Sequence, residues 1–198
     1  MASFVENILA VYAQATDAER EHGLTWYAQA KAQAQAIADA NELPLHIVVG
    51  VVAALSPTNN WEQNLKDAAL FCETFVGGGY FEDVKASTYK KMWEKAWNIL
   101  AAGADHHSPD YIAQILNGPK ITDFFWCIMG FDCCVIDGHA WCIANADRRT
   151  MQEVPNIGKK HRQELQEAYA VAAHKFGMNA YEMQAATWVA WRRIHGIA

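Results

Sequence analysis

Apolar residues recur at helical spacing along most of the chain. Phe4, Ile8, Val11 and Tyr12 put one stripe on a helix over 4–14. Residues 24–40 are rich in Ala and Gln, with Leu24, Tyr27, Ala28, Ala34 and Ile37 on one face. Pro44 suits a first helical turn. The run 47–55 that follows is apolar throughout and rich in β-branched residues. A buried strand and a buried helix both fit it; its length and helical surroundings favour the helix. Ser56-Pro57-Thr58-Asn59-Asn60 reads as a turn carrying N-cap residues. After it, 61–75 is amphipathic again, through Trp61, Leu65, Ala68, Ala69 and Cys72.

Gly77-Gly78-Gly79 breaks the pattern and predicts the main internal hinge. A helix over 89–102 carries Trp93, Ala96, Trp97 and Leu100. Ser108-Pro109-Asp110 caps a short helix that ends at Asn117-Gly118-Pro119. Residues 120–129 are strongly apolar, 131–136 read as a short extended stretch, and Asp137 opens a helix through 146. A loop over 154–158 precedes two closing helices, 159–175 and 179–194. There is no repeat and no low-complexity segment. The expectation is an all-α fold of about ten helices, with Trp93, Trp97, Trp188 and Trp191 mostly in the core.

Composition agrees with a packed fold. Eight Trp, seven Tyr and eight Phe in 198 residues are far more than a linker or tail carries. The longest apolar run, 47–55, is about half the ~20 residues that a membrane span needs. No basic segment opens the chain as in a signal peptide. The five cysteines lie in apolar stretches and form no C-x2-C pair. They read as reduced thiols of a cytoplasmic protein, with no zinc or iron–sulfur site. The net charge of −6 argues against a nucleic-acid partner until it is divided. Residues 1–147 hold 8 Lys/Arg and 18 Asp/Glu, a net of −10; residues 148–198 hold 8 and 4, a net of +4. The C-terminal quarter is therefore able to face an anion.

Two residues stand out chemically. Asp137 follows a short apolar run and precedes Gly138-His139-Ala140-Trp141. A carboxylate at a helix N-terminus accepts backbone N–H groups, and at a pocket edge it stabilises a developing cation or activates water. A plain cap is the simpler reading. Lys120 follows the Asn117-Gly118-Pro119 turn and opens an apolar helix. Buried against Phe124 and Trp126, its amine would become a nucleophile; in solvent it is an ordinary lysine. His139 and Cys142 form H-x-x-C, but the H-x-E and C-x2-C of a zinc deaminase are missing. Arg148, Arg149, Lys159, Lys160, His161 and Arg162 cluster after the Asp137 helix, suited to phosphate or to solvated helix ends.

Three segments resemble helix-hairpin-helix DNA glycosylases, nearest to the 8-oxoguanine glycosylase branch. Residues 134–145, Cys-Val-Ile-Asp137-Gly-His139-Ala-Trp-Cys-Ile-Ala-Asn, are similar to that family's "VD-x-H" segment. Gly118-Pro119-Lys120 matches the "G-x-K" end of its hairpin, 17 residues before Asp137, with Leu116 where the first hairpin glycine would stand. Residues 48–68 resemble the helix and loop whose polar residues enter the gap left by an extruded base. Val154-Pro-Asn-Ile-Gly158-Lys159-Lys160 is also hairpin-like but follows the aspartate instead of preceding it, and reads as a second loop, capping a helix and touching phosphate. The resemblance covers roughly residues 44–147.

What the resemblance implies is one glycosylase-like unit over 1–198. One lobe would span about 44–105, and the other 1–43 with 106–198. Asp137 and Lys120 would be catalytic. Gly118, Thr58, Asn59, Asn60, His139, Arg148, Arg149, Lys159 and Lys160 would contact DNA. The partner would be DNA with a damaged or modified base, in the cytoplasm of a bacterial or phage-infected cell, with no membrane, metal or cofactor. A base would be flipped and excised, with a lyase step where Lys120 attacks the sugar. The alternative is a nucleic-acid-binding or phage–host-conflict protein that keeps the fold without excision.

Overall fold

The structure, a computed structural model, describes residues 3–102 and 108–197. Among these residues there are ten α-helices, one 3-10 turn and no strand. The helices are α1 (Phe4–Ala13), α2 (Asp17–Ala40), α3 (Leu45–Leu55), α4 (Trp61–Val76), α5 (Lys90–Leu100), α6 (Pro109–Leu116), α7 (Pro119–Met129), α8 (Gly138–Asn145), α9 (Lys159–His174) and α10 (Ala180–His195). The all-α expectation holds. The stretch 131–136 pairs with no strand, and 47–55 is a helix. No single described helix is long and apolar enough to cross a membrane. The chain forms two compact units, Met1–Ala28 with Gly130–Ala198, and Gln29–Met129. The lobe boundary expected near residue 105 lies outside the described residues.

In the first unit, α1, α8, α9 and α10 pack on one another. Their shared core includes Ile8, Cys134, Ile136, Ile143, Leu165, Tyr169, Met183 and Trp191. Capping boxes start α1 (Ser3 with Glu6) and α10 (Asn179 with Glu182). Thr16 and Glu19 do the same for α2: the Glu19 N–H donates to Thr16 Oγ1 (3.3 Å) and the Thr16 N–H to Glu19 Oε2 (2.8 Å). α2 therefore begins seven residues before the predicted 24–40. Its buried side is Gly23, Tyr27, Ala30, Ala34 and Ala38, while Leu24 and Ala28 are exposed. A Cβ on Gly23 would lie 2.6 Å from the Ala186 backbone nitrogen, so this contact requires glycine and turns Leu24 outward.

The second unit is built around α3, which packs against α4, α5, α6 and α7. Every residue of Ile47–Leu55 is buried, so the run has no polar side, as expected of a helix surrounded by others. Each fully buried Val, Ile or Leu contributes about 1.5–3 kcal/mol, which outweighs the modest helix propensity of Val and Ile. Gly50 admits Ile112, whose Cγ2 would lie 2.6 Å from an added Cβ. Gly77-Gly78-Gly79 is not a hinge between units. It lies within the second unit and ends α4, with the Gly77 N–H on Glu73 O (2.9 Å) and Gly78 at φ 75°. Trp97 is the centre of an aromatic cluster with Phe71, Phe75 and Phe81. Trp93, Trp97 and Trp188 are half-buried; of the four predicted core tryptophans, Trp191 alone is fully in the core.

Candidate functional site

The sequence candidates fall into two groups, one in each unit. In the first unit, Asp137 caps α8 as its sequence suggests. The Ala140 N–H donates to Asp137 Oδ1 at 2.8 Å, and the side chain is half-buried. Oδ2 takes no hydrogen bond from a described residue. One carboxylate oxygen is thus fixed by the helix end and the other is available. The approach to Asp137 is also fixed. Arg162 Nη1 donates to Ile136 O (2.9 Å), and Gln166 Nε2 donates to Cys134 O (3.0 Å). These two side chains of α9 hold the extended stretch just before Asp137. Neither was singled out in the sequence for this role, because nothing local tells which carbonyl a helix side chain will reach.

The segment between α8 and α9 folds onto the first turn of α8. A Cβ on Gly138 would lie 2.6 Å from Met151 Sδ and 3.5 Å from Val154 Cγ2. Glycine beside Asp137 therefore permits a close approach of this segment. His139, two residues on, meets the Trp188 ring edge-on, with centroids 5.9 Å apart at 81°. Arg149 is engaged: its Nε donates to Asp147 Oδ2 (2.7 Å), and its guanidinium lies 5.1 Å from the Trp141 ring centroid. Arg148 Nη2 donates to His195 O (3.2 Å) at the end of α10. Burial, and secondarily the Arg148 charge, push the His195 imidazole below its usual range. Burial pushes the Cys142 thiol up and that of Cys72 to about 12, so neither is a ready thiolate.

The start of α9 is different. Gly158 is its N-cap, with no side-chain cap, and nothing stands within 4 Å of an added Cβ there. Lys159 and Lys160 follow, both exposed. Lys160 Nζ stands 4.0 Å from Glu164, and Lys159 pairs with no carboxylate among the described residues. Lysines add to the positive end of a helix dipole here, where acidic residues would ordinarily be favoured. An uncapped helix start with cationic side chains offers N–H donors and charge to an anion.

In the second unit, α6 and α7 form a helical hairpin. Asn117 turns it at φ 39°, its N–H on Ala113 O (3.1 Å), and the Thr122 N–H bonds to Gly118 O (2.9 Å). Lys95 Nζ donates to Leu116 O at the end of α6, and its burial pulls the ammonium below its usual range. Lys120 is exposed in the first turn of α7. The burial that would make its amine a nucleophile is absent.

The loop between α3 and α4 lies in the same neighbourhood. Trp61 follows it and meets Phe124, one turn after Lys120, with ring centroids 6.2 Å apart. Its three candidates do different things. Asn60 caps α4, accepting from the Gln63 N–H (2.9 Å). Asn59 turns inward, Nδ2 donating to Asp67 Oδ2 (2.8 Å). Thr58 is exposed like Asn60, its hydroxyl donating to Pro57 O (2.7 Å), and sits at φ 59°, a conformation that strains a β-branched residue. Asp67 organises the loop. It is buried and also accepts from Gln63 Nε2 (2.7 Å) and the Ser87 N–H (2.7 Å). Asn64, equally buried, donates to Val52 O (3.1 Å). Sequence reasoning missed both, although an Asn and an Asp three apart on the inner side of α4 were a visible signal. Among the described residues, no three His, Cys, Asp or Glu side chains gather in a way that could hold a metal ion.

No curated protein and no solved structure matches this chain. One family of unknown function, DUF7178, matches residues 1–195, and the chain belongs to that family.

Proposed function

We propose that this chain is a DNA glycosylase that removes a damaged or modified base by hydrolysis after the nucleotide is flipped from the duplex. The single observation that carries the reading is the setting of Asp137. One oxygen is tied to the α8 helix start, the other is available, and Arg162 ties the residue before it to the basic, uncapped start of α9. Phosphate contacts there would position the strand while the carboxylate faces the sugar. As the N-glycosidic bond breaks, its electron pair leaves with the base, and Asp137 stabilises the cationic sugar. Water adds to C1′, its proton passes to Asp137, and the departing base takes up a proton from solvent. Because Lys120 is exposed, it is assigned to phosphate contact and water is assigned as the nucleophile. In this reading Thr58, exposed in its loop, would enter a gap in the stack.

The acidity of residues 1–147 favours a second reading, a protein that binds nucleic acid without cutting it. One assay separates the two. The protein is incubated with a panel of modified-base duplexes, and released bases are identified by mass spectrometry, with borohydride added in parallel. The proposal expects a free base and no trapped covalent adduct. Binding without release supports the second reading, and an adduct lost in Lys120→Gln supports a lyase.

A further inference from the structure

We infer that Arg192, stacked on Trp188 beside His139, binds a phosphate group; the inference rests on the DNA reading above. Arg192 is half-buried in the last turn of α10, with Cζ 4.4 Å from the Trp188 ring centroid. The same Trp188 ring meets His139 in the first turn of α8, two residues after Asp137. The side chains therefore run from the start of the Asp137 helix to this guanidinium.

Arg192 lacks the partner that such a group ordinarily has. Its Nε is buried and makes no hydrogen bond, and no carboxylate pairs with it among the described residues. Its neighbour Arg193 shows the contrast, with Nε 2.6 Å from Glu19 Oε1 and Nη2 3.1 Å from Oε2. Stacking on an indole strips part of the hydration from a guanidinium and fixes its plane. A fixed, under-solvated fork of N–H donors suits two oxygens of one anion. Phosphate is the anion that the lysines at the start of α9 also suit. A cation near a helix C-terminus also interacts favourably with the helix dipole, but lysine would serve that purpose equally well. Arg192→Lys therefore separates the two roles.

The test follows the Arg192 Nε–H resonance by NMR, assigned by its loss in Arg192→Lys. The probes are a short duplex with a tetrahydrofuran abasic-site analogue, thymidine 5′-monophosphate, and thymidine. The expected result is movement of the resonance with a phosphate-bearing probe and not with thymidine. Movement with the duplex alone assigns a backbone phosphodiester; movement with the monophosphate as well assigns a free nucleotide phosphate. Arg192→Lys should weaken binding of the responding probe about tenfold. If the resonance moves with neither phosphate probe, or Arg192→Lys binds like wild type, the inference is overturned. If Lys159→Ala then still weakens duplex binding, the DNA reading survives that failure. If wild type and Lys159→Ala bind alike, or wild type binds no probe, both fail.

Discussion

Arg162 donates from Nη1 to the Ile136 carbonyl oxygen at 2.9 Å, so the first turn of α9 is tied to the residue just before Asp137. A basic helix start at Lys159 and a capping carboxylate at Asp137, 22 positions apart in sequence, thereby become one local structure. Loss of this bond should affect both. Arg162→Ala should lower stability by about 1–2 kcal/mol, a fall in Tm of roughly 2–8 °C. On the proposed DNA reading, its affinity for a duplex should fall too. A thermal melt and a binding titration on the same preparation check this. Unchanged values in both would mean that the tie is incidental.

Two glycines should respond differently to alanine. At Gly23 the added Cβ meets the Ala186 backbone at 2.6 Å, which a side-chain rotation cannot relieve. Gly23→Ala should cost about 1–3 kcal/mol or more. At Gly138 the added Cβ meets the far end of Met151, which is half exposed and free to swing away. Gly138→Ala should cost less than about 1 kcal/mol. Urea titrations of the two variants give the comparison directly.

Much of the helical architecture is visible in the sequence because helix ends are local events. Asn60, Ser108 and Asp137 cap the helices that follow them, as their positions suggest. The early start of α2 was also visible, as the Thr16-x-x-Glu19 box, but Asp17–Gly23 has no apolar period to reinforce it. What sequence does not reveal is long-range pairing. Whether Lys120 is buried depends on helices that are remote in sequence, and the Asp67 that holds Asn59 also accepts from Ser87, 20 residues away. The buried stripe of α2 was displaced for the same reason, since Ala186 lies 163 residues from Gly23.

Asp67 should be indispensable to the loop that presents Thr58. It accepts from Asn59, Gln63 and the Ser87 N–H inside the protein. An amide in its place turns donor against donor. Asp67→Asn should therefore cost about 1–3 kcal/mol. Limited proteolysis should then cut within residues 56–60 faster than in wild type.

Stability should also fall in acid through Glu19. The Arg193 hydrogen bond, the largest influence, holds the Glu19 carboxyl below its usual range, against the opposing effect of burial. The folded state therefore binds this proton less readily than the unfolded chain. The stabilisation is full above the ordinary carboxylate value of about 4.5 and is lost as the pH falls through the lower folded value. Glu19→Gln should lower the urea midpoint at pH 7, and the gap from wild type should shrink at pH 3. A gap that is equal at both values would contradict this.

The most direct test of the central claim compares wild type with Asp137→Asn. Asparagine caps a helix about as well as aspartate, so α8 and the Tm should be preserved. Only the negative charge is removed from the oxygen left available at the helix start. The measurement is the rate of base release from whichever modified duplex wild type cuts. The rate should fall at least about 100-fold in Asp137→Asn, with an unchanged melting temperature. Full excision by Asp137→Asn would contradict that claim.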